Sequence, residues 1–138
     1  MKATDLMIGN LVEYKGVYYK VIDILTYRDH GKVTLQRKGL GITTIVGVKV
    51  EFLSPVPITE EILDSLQREK HSIYHPGGLT RYPLNDLSSI YWNGEEADVS
   101  LYRNSEQFVI TDTFTETHKL QQALHYAGIN DNIELDYE

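Results

Sequence analysis

The chain has 138 residues, 13 Lys and Arg against 20 Asp and Glu, a formal net charge of −7 and no cysteine. With 41% hydrophobic and 24% charged residues it has the composition of one modest domain or two very small ones that bury a core, which excludes disordered, collagenous and low-complexity chains. The lack of cysteine excludes disulfides, thiolate metal sites, iron–sulfur clusters and a Cys nucleophile.

No apolar run approaches the roughly 20 residues of a membrane helix. Met1-Lys2-Ala3-Thr4-Asp5 lacks the apolar stretch of a secretory signal, so the expectation is a cytoplasmic protein with no membrane partner. Charge is unevenly spread. Residues 1–53 hold eight Lys/Arg and five Asp/Glu (+3), whereas residues 54–138 hold five and fifteen (−10). Ser54-Pro55-Val56-Pro57 marks the change, and its two prolines favour extended backbone. The chain therefore divides into a basic-leaning module, 1–53, and an acidic one, 54–138.

The first module reads as strands. Asn10 to Tyr14 and Val17 to Leu25 flank a tight turn at Lys15-Gly16, and Val33 and Leu35 alternate within Lys32 to Gln36. Ile42 to Leu53 continues the pattern with Gly47 as its bulge or bend. Four or five short strands in this space predict an SH3-like small barrel.

In the second module Thr59 caps a helix over about 59–70. Glu60 and Glu61 lie at its positive end, Ile58 is placed to staple onto Leu63, and Ile62, Leu63 and Leu66 form its apolar face. His71 to Leu87, with Pro76, Gly77, Gly78 and Pro83, reads as a loop or irregular hairpin. Ser88–Asn93, Asp98–Tyr102 and Gln107–Thr111 predict a three-stranded antiparallel meander over about 88–112, turned first at Asn93-Gly94. A helix over about 114–127 follows, with capping-box spacing at Thr113 and Glu116, an apolar stripe of Leu120, Ala123, Leu124 and Ala127, and Gly128 as its left-handed stop. A short strand near Ile133 to Leu135 closes the unit. The fold class is β-rich α+β, a small barrel followed by a meander packed with one or two helices.

Chemistry-bearing patterns are sparse. His71 and His75 have the spacing of a helical metal pair, but Pro76 disfavours a helix there and no Glu lies between them, so no metal or other cofactor is expected. Pro76 to Arg81 could form a small nest with Arg81 beside it, yet it lacks the strand, helix and Lys-Ser/Thr of a phosphate loop. Lys38-Gly39-Leu40-Gly41 likewise fails as a dinucleotide fingerprint. Glu95, Glu96 and Asp98 read as a solvated turn, and the terminal acids Asp131, Glu134, Asp136 and Glu138 lack calcium-loop spacing. No nucleophile elbow or assembled triad is apparent, so catalysis is not expected.

Tyr14, Tyr18, Tyr27, Arg28, Arg37 and Lys38 remain as a candidate interaction surface on the first module. Aromatic and basic residues on a small barrel also suit nucleic acid, although the −10 of the second module opposes it. The leading expectation is a non-enzymatic protein-interaction module that binds an unidentified protein or itself. A nucleic-acid-binding barrel is the alternative.

Ile8-Gly9-Asn10-Leu11-Val12, Val56-Pro57-Ile58-Thr59-Glu60-Glu61-Ile62-Leu63 and Thr117-His118-Lys119-Leu120-Gln121 together resemble a family of small uncharacterised proteins of Bacteroidetes bacteria and their prophages. The likeness runs across most of the chain in the same order. It departs at Lys70 to Arg81, where relatives commonly show Gly-Phe, and at Tyr126-Ala127-Gly128. The resemblance implies the same architecture and brings no established activity; the leading expectation of an interaction module extends to an accessory protein of a mobile element. Its polar motif residues are His118 and Gln121, for which a structural role is expected.

Overall fold

The computed structural model describes residues 1–27, 30–66, 73–75, 79–85, 88–103, 106–109, 113–129 and 133. Two compact units meet in sequence between Val56 and Pro57, three residues beyond the break read from the charge pattern. Both are built on antiparallel sheets.

The first unit contains β1 (Leu11–Tyr14), β2 (Val17–Tyr27), β3 (His30–Lys38), β4 (Ile42–Lys49) and β5 (Ser54–Pro55), in sheet order β4-β3-β2-β1-β5. The β1–β2 turn is the expected tight one: Lys15 and Gly16 both have positive φ, 50° and 77°, which suits a two-residue hairpin between Tyr14 and its register partner Val17. Two bulges bend the sheet. Ile22 is extra in β2 between the pairs Val21–Leu35 and Asp23–Thr34, while Val46 and Gly47 stand where β3 has only Thr34. Gly47 is thus the bulge expected from its place in the strand. A 3₁₀ turn over Val50–Phe52 then carries the chain to β5, which pairs with β1.

Val12, Val21, Val33, Leu35, Val48, Val50 and Leu53 form the core of this unit, joined by Leu6. No pairing closes β4 onto β5 among the described residues, so the sheet is open where a closed barrel was expected. The two-residue length of β5 explains this, since it offers backbone bonds only to Val12 and Glu13.

The second unit opens with α1 (Glu60–Leu66). Thr59 caps it as expected: its Oγ1 accepts from the Ile62 N–H at 3.3 Å. Residues 67–70, the expected last turn, lie outside the described residues. Five strands follow: β6 (Ile73–His75), β7 (Leu79–Asn85), β8 (Ser88–Trp92), β9 (Ala97–Arg103) and β10 (Glu106–Val109), in meander order β10-β9-β8-β7-β6. The expected three-stranded meander is therefore five-stranded, and much of the segment read as a loop is strand. Pro83 is tolerated because the register shifts between Pro83 and Asn85, where a missing N–H costs little.

The β8–β9 connection spans Asn93 to Glu96. Asn93 Oδ1 accepts from the N–H groups of Glu95 and Glu96 at 2.9 and 2.8 Å.

α2 (Thr117–Tyr126) begins later than its capping-box spacing predicts. Phe114 exchanges backbone hydrogen bonds with Ala97 at 2.7 and 2.8 Å, and Glu116 bridges Pro57, so 114–116 is held extended and Glu116 becomes the N-cap in place of Thr113. The C-terminal end behaves as expected: Gly128 has φ 73°, its N–H donates to His125 O at 3.0 Å, and the Ile129 N–H donates to Leu124 O at 2.9 Å, which makes a Schellman motif. α2 packs over β9 and α1 over β7. Register partners Tyr82, Ile90 and Val99 are buried across β7, β8 and β9, as are Ile62, Leu63, Leu66, Leu120 and Leu124 on the helices. Of the expected last strand only Ile133 is described, buried and outside any strand.

Gly31 in β3 is a close-approach glycine. A Cβ there would run into Ala3 and lie 3.2 Å from Val50 Cγ2, whereas at Gly41 nothing comes within 4 Å. Gly31→Ala is expected to cost about 1–3 kcal/mol by overpacking, and Gly41→Ala to be nearly neutral, in urea unfolding.

Candidate functional site

In the first unit the residues that could meet a partner gather on β4 and the turn before it. β4 is the end strand of its sheet, and its sequence Ile-Thr-Thr-Ile-Val-Gly-Val-Lys carries no charge before Lys49. Its register with β3 is regular over Ile42–Lys38, Thr43–Arg37, Thr44–Gln36 and Ile45–Leu35, after which the bulge at Val46-Gly47 interrupts it. Ile45 and Val48 turn toward the core, which leaves Ile42 66% and Val46 77% exposed, with Leu40 fully exposed in the preceding turn.

Cations flank this strip. Lys38 stands opposite Ile42 at one end, and Lys32 opposite Lys49 at the other. β3 and β4 together hold Lys32, Arg37, Lys38 and Lys49 and no Asp or Glu. The signal was present in the sequence as a β-branched run framed by lysines. Its position at the end of the sheet was not.

The residues expected to form the interaction surface are not all brought together. Tyr14 and Tyr19 pack against the core, their ring centroids 6.4 Å apart at 63°, and the Lys15 ammonium lies 5.3 Å from the Tyr14 ring centre. Tyr18, half-buried, pairs with Glu13 on the opposite face of the hairpin, because neighbouring strand residues alternate sides. Arg37 is half-buried beside Thr43 and Lys38 is exposed beside Ile42. The side chain of Tyr27 and all of Arg28 lie outside the described residues. Aliphatic side chains and lysines, more than tyrosines, make up the exposed β3–β4 side.

The second unit contains a polar ladder that was not anticipated. Arg81, Tyr91 and Asp98 are successive register partners across β7, β8 and β9, and Pro83, Ser89 and Ser100 form the adjacent row. Arg81 Nε donates to Ser89 Oγ at 2.9 Å, and Ser100 Oγ donates to Asp98 Oδ1 at 3.2 Å. Ser89 and Ser100 are buried. Burial pushes the Asp98 carboxyl above its ordinary value of 3.8, partly offset by the Ser100 hydroxyl. Asp98 is thereby separated from Glu95 and Glu96, which stay exposed at the hairpin tip. The ladder pairs polar side chains with one another along a sheet face.

Asn10 and Thr117 of the motifs have local structural accounts. Asn10 is buried, and its Oδ1 accepts from the Met7 N–H at 2.8 Å to close the turn in which Gly9 has φ 95°. Thr117 Oγ1 donates to Pro57 O at 3.2 Å, and the Ile58 N–H donates to Thr115 O at 3.2 Å, so the second and third motifs meet. His118 is 2% and Gln121 0% exposed, one turn apart on α2. Of the two histidines with metal-pair spacing, His71 lies outside the described residues, as do Pro76, Gly77, Gly78 and the terminal acids; His75 is in β6, with its side chain undescribed. Among the described residues no three His, Asp or Glu side chains are placed to hold a metal ion, and no helix is long and apolar enough to cross a membrane.

Comparison with protein-family models, with curated proteins and with solved structures gives no match.

Two outcomes follow from this geometry. The raised Asp98 value means that the folded chain favours the neutral acid, so this contribution to stability is present at low pH and is lost as pH rises through the raised value. Asp98→Asn is therefore expected to raise Tm at pH 7, with the gap closing as pH falls toward 3.8. His118→Ala is expected to lose about 1–3 kcal/mol in chemical unfolding, as buried polar truncations do.

Proposed function

We propose that the protein is a non-enzymatic interaction module whose first unit engages a protein partner through its β3–β4 side. The observation that carries this reading is the exposed β-branched strip of β4 at the end of its sheet, with Ile42, Val46 and Leu40 uncovered. Soluble chains usually shorten, charge or cover such an edge, and an uncovered one is a template for another strand. The strand order, with a 3₁₀ turn delivering β5 to the far side of β1, supports reading this unit as an SH3-like small barrel left open at β4 and β5.

Nucleic acid is the second reading, favoured by the four cations of β3 and β4. The two separate on salt and on the variant that changes each. Ile42→Lys combined with Val46→Lys is expected to keep the wild-type Tm, because both side chains are exposed. It should also lose about tenfold or more of a captured protein in pull-downs from source-cell lysate. Capture unaffected by the double variant rejects the β4 reading. Capture of nucleic acid that rises with the added lysines and falls steeply with salt replaces it by the second.

A further inference from the structure

We infer that the occupant of the β4 edge is an extended, acidic segment of another protein, added as a sixth strand antiparallel or parallel to β4. This rests on the interaction-module reading and specifies its ligand. An edge strand offers backbone donors and acceptors on its free side, and a peptide that pairs with them gains affinity from the main chain and specificity from alternate side chains. Among the described residues nothing pairs with that side of β4.

The usable length is set by the bulge. Ile42 to Ile45 is in regular register, and Val46-Gly47 twists the strand away beyond it, so the paired stretch is short and lies next to Lys38.

Charge selects the occupant. Lys38 at one end of β4, and Lys32 with Lys49 at the other, place cations at both ends of a bound strand, and neither β3 nor β4 carries a carboxylate to answer them. A second copy of β4 would bring the same cations to the seam and meet like charge, which disfavours self-pairing. A peptide with carboxylates at its ends and β-branched residues between them pairs its backbone with Ile42 to Ile45 beside Lys38, lays its middle over Ile42, and extends unpaired past the bulge so that its far carboxylates meet Lys49. Nucleic acid would satisfy the cations but not the strip. Ile42, Val46 and Leu40 are aliphatic and give bases no ring to stack on, Tyr14 and Tyr19 are packed against the core, and the exposed ring of Phe52 lies past the strand in the 3₁₀ turn, a single ring off the strip.

The test uses the full chain and a fluorescein-labelled peptide of about nine residues, with valine and threonine through its middle and two glutamates at each end. Its twins carry lysine in place of glutamate, or N-methyl groups on alternate residues. Anisotropy titration at low salt is expected to show binding of the glutamate peptide, with about tenfold or more weakening for the lysine twin. The N-methyl twin should not bind, because one side of its backbone has lost its donors. Lys38→Glu with Lys49→Glu should invert the charge preference, a result that misfolding cannot imitate. In hydrogen exchange the peptide should protect amides of Ile42 to Ile45.

Equal binding of both charge twins, unimpaired binding of the N-methyl twin, tighter binding of an oligothymidylate, or a concentration-dependent dimer that excludes the peptide would each overturn the inference. Should the peptide fail while the lysine double variant still abolishes capture from lysate, the edge is a docking site and the acidic-strand assignment alone is wrong. Should both fail, the interaction-module reading falls with it.

Discussion

A strand in an open sheet has backbone donors and acceptors on two sides, and β4 spends those of one side on β3. The core is completed by Ile45 and Val48, so β4 cannot be dispensed with, yet core formation asks nothing of its free side or of Ile42 and Val46. β5, at the opposite end, solves the same problem by being only two residues long. The bulge at Gly47 and the terminal Lys49 blunt the second half of β4, as edges are commonly blunted, and leave the first half regular.

The second unit depends on a different constraint, the two backbone bridges that precede α2. Ala97 with Phe114, and Pro57 with Glu116, keep residues 114–116 extended until Thr117, whose hydroxyl reaches back to Pro57 O. Because Thr59 caps α1 two residues after Pro57, the starts of both helices are tied to one short stretch of chain. That accounts for motifs far apart in sequence being structural partners. It also places His118 and Gln121 on the buried side of α2, where truncation affects packing before any surface.

Features governed by local backbone chemistry could be read directly from the residues. Lys15-Gly16 needs two positive φ values, Thr59 offers an oxygen to the first turn of α1, and Gly128 ends α2 in a left-handed conformation. Features decided by long-range pairing could not. Pro83 broke the alternation of β7 and made it look like a loop, and only the register shift against β8 shows why it is allowed. The Thr113–Glu116 spacing satisfied the capping rule, but bridges to residues 57 and 97 outweighed it. In the candidate site, the basic residues and the β-branched run were visible one by one. Their shared edge is a property of sheet order, to which no short window of sequence has access.

The division of labour between aromatic and aliphatic residues is what turns the edge into a reading of function. The tyrosines of the β1–β2 hairpin alternate across the sheet, so Tyr14 and Tyr19 go to the core side and Tyr18 to the other. A hairpin built this way uses its rings to stabilise a small core that lacks bulk, since its buried members are mostly valine and leucine. The exposed strip is then left to Ile42 and Val46, which suit the pleated surface of a neighbouring strand and give a stacked base nothing to lie on. On the proposed reading, cations at both ends of such a strip would discriminate among extended peptides by charge, and the backbone would supply the remaining attraction without regard to sequence.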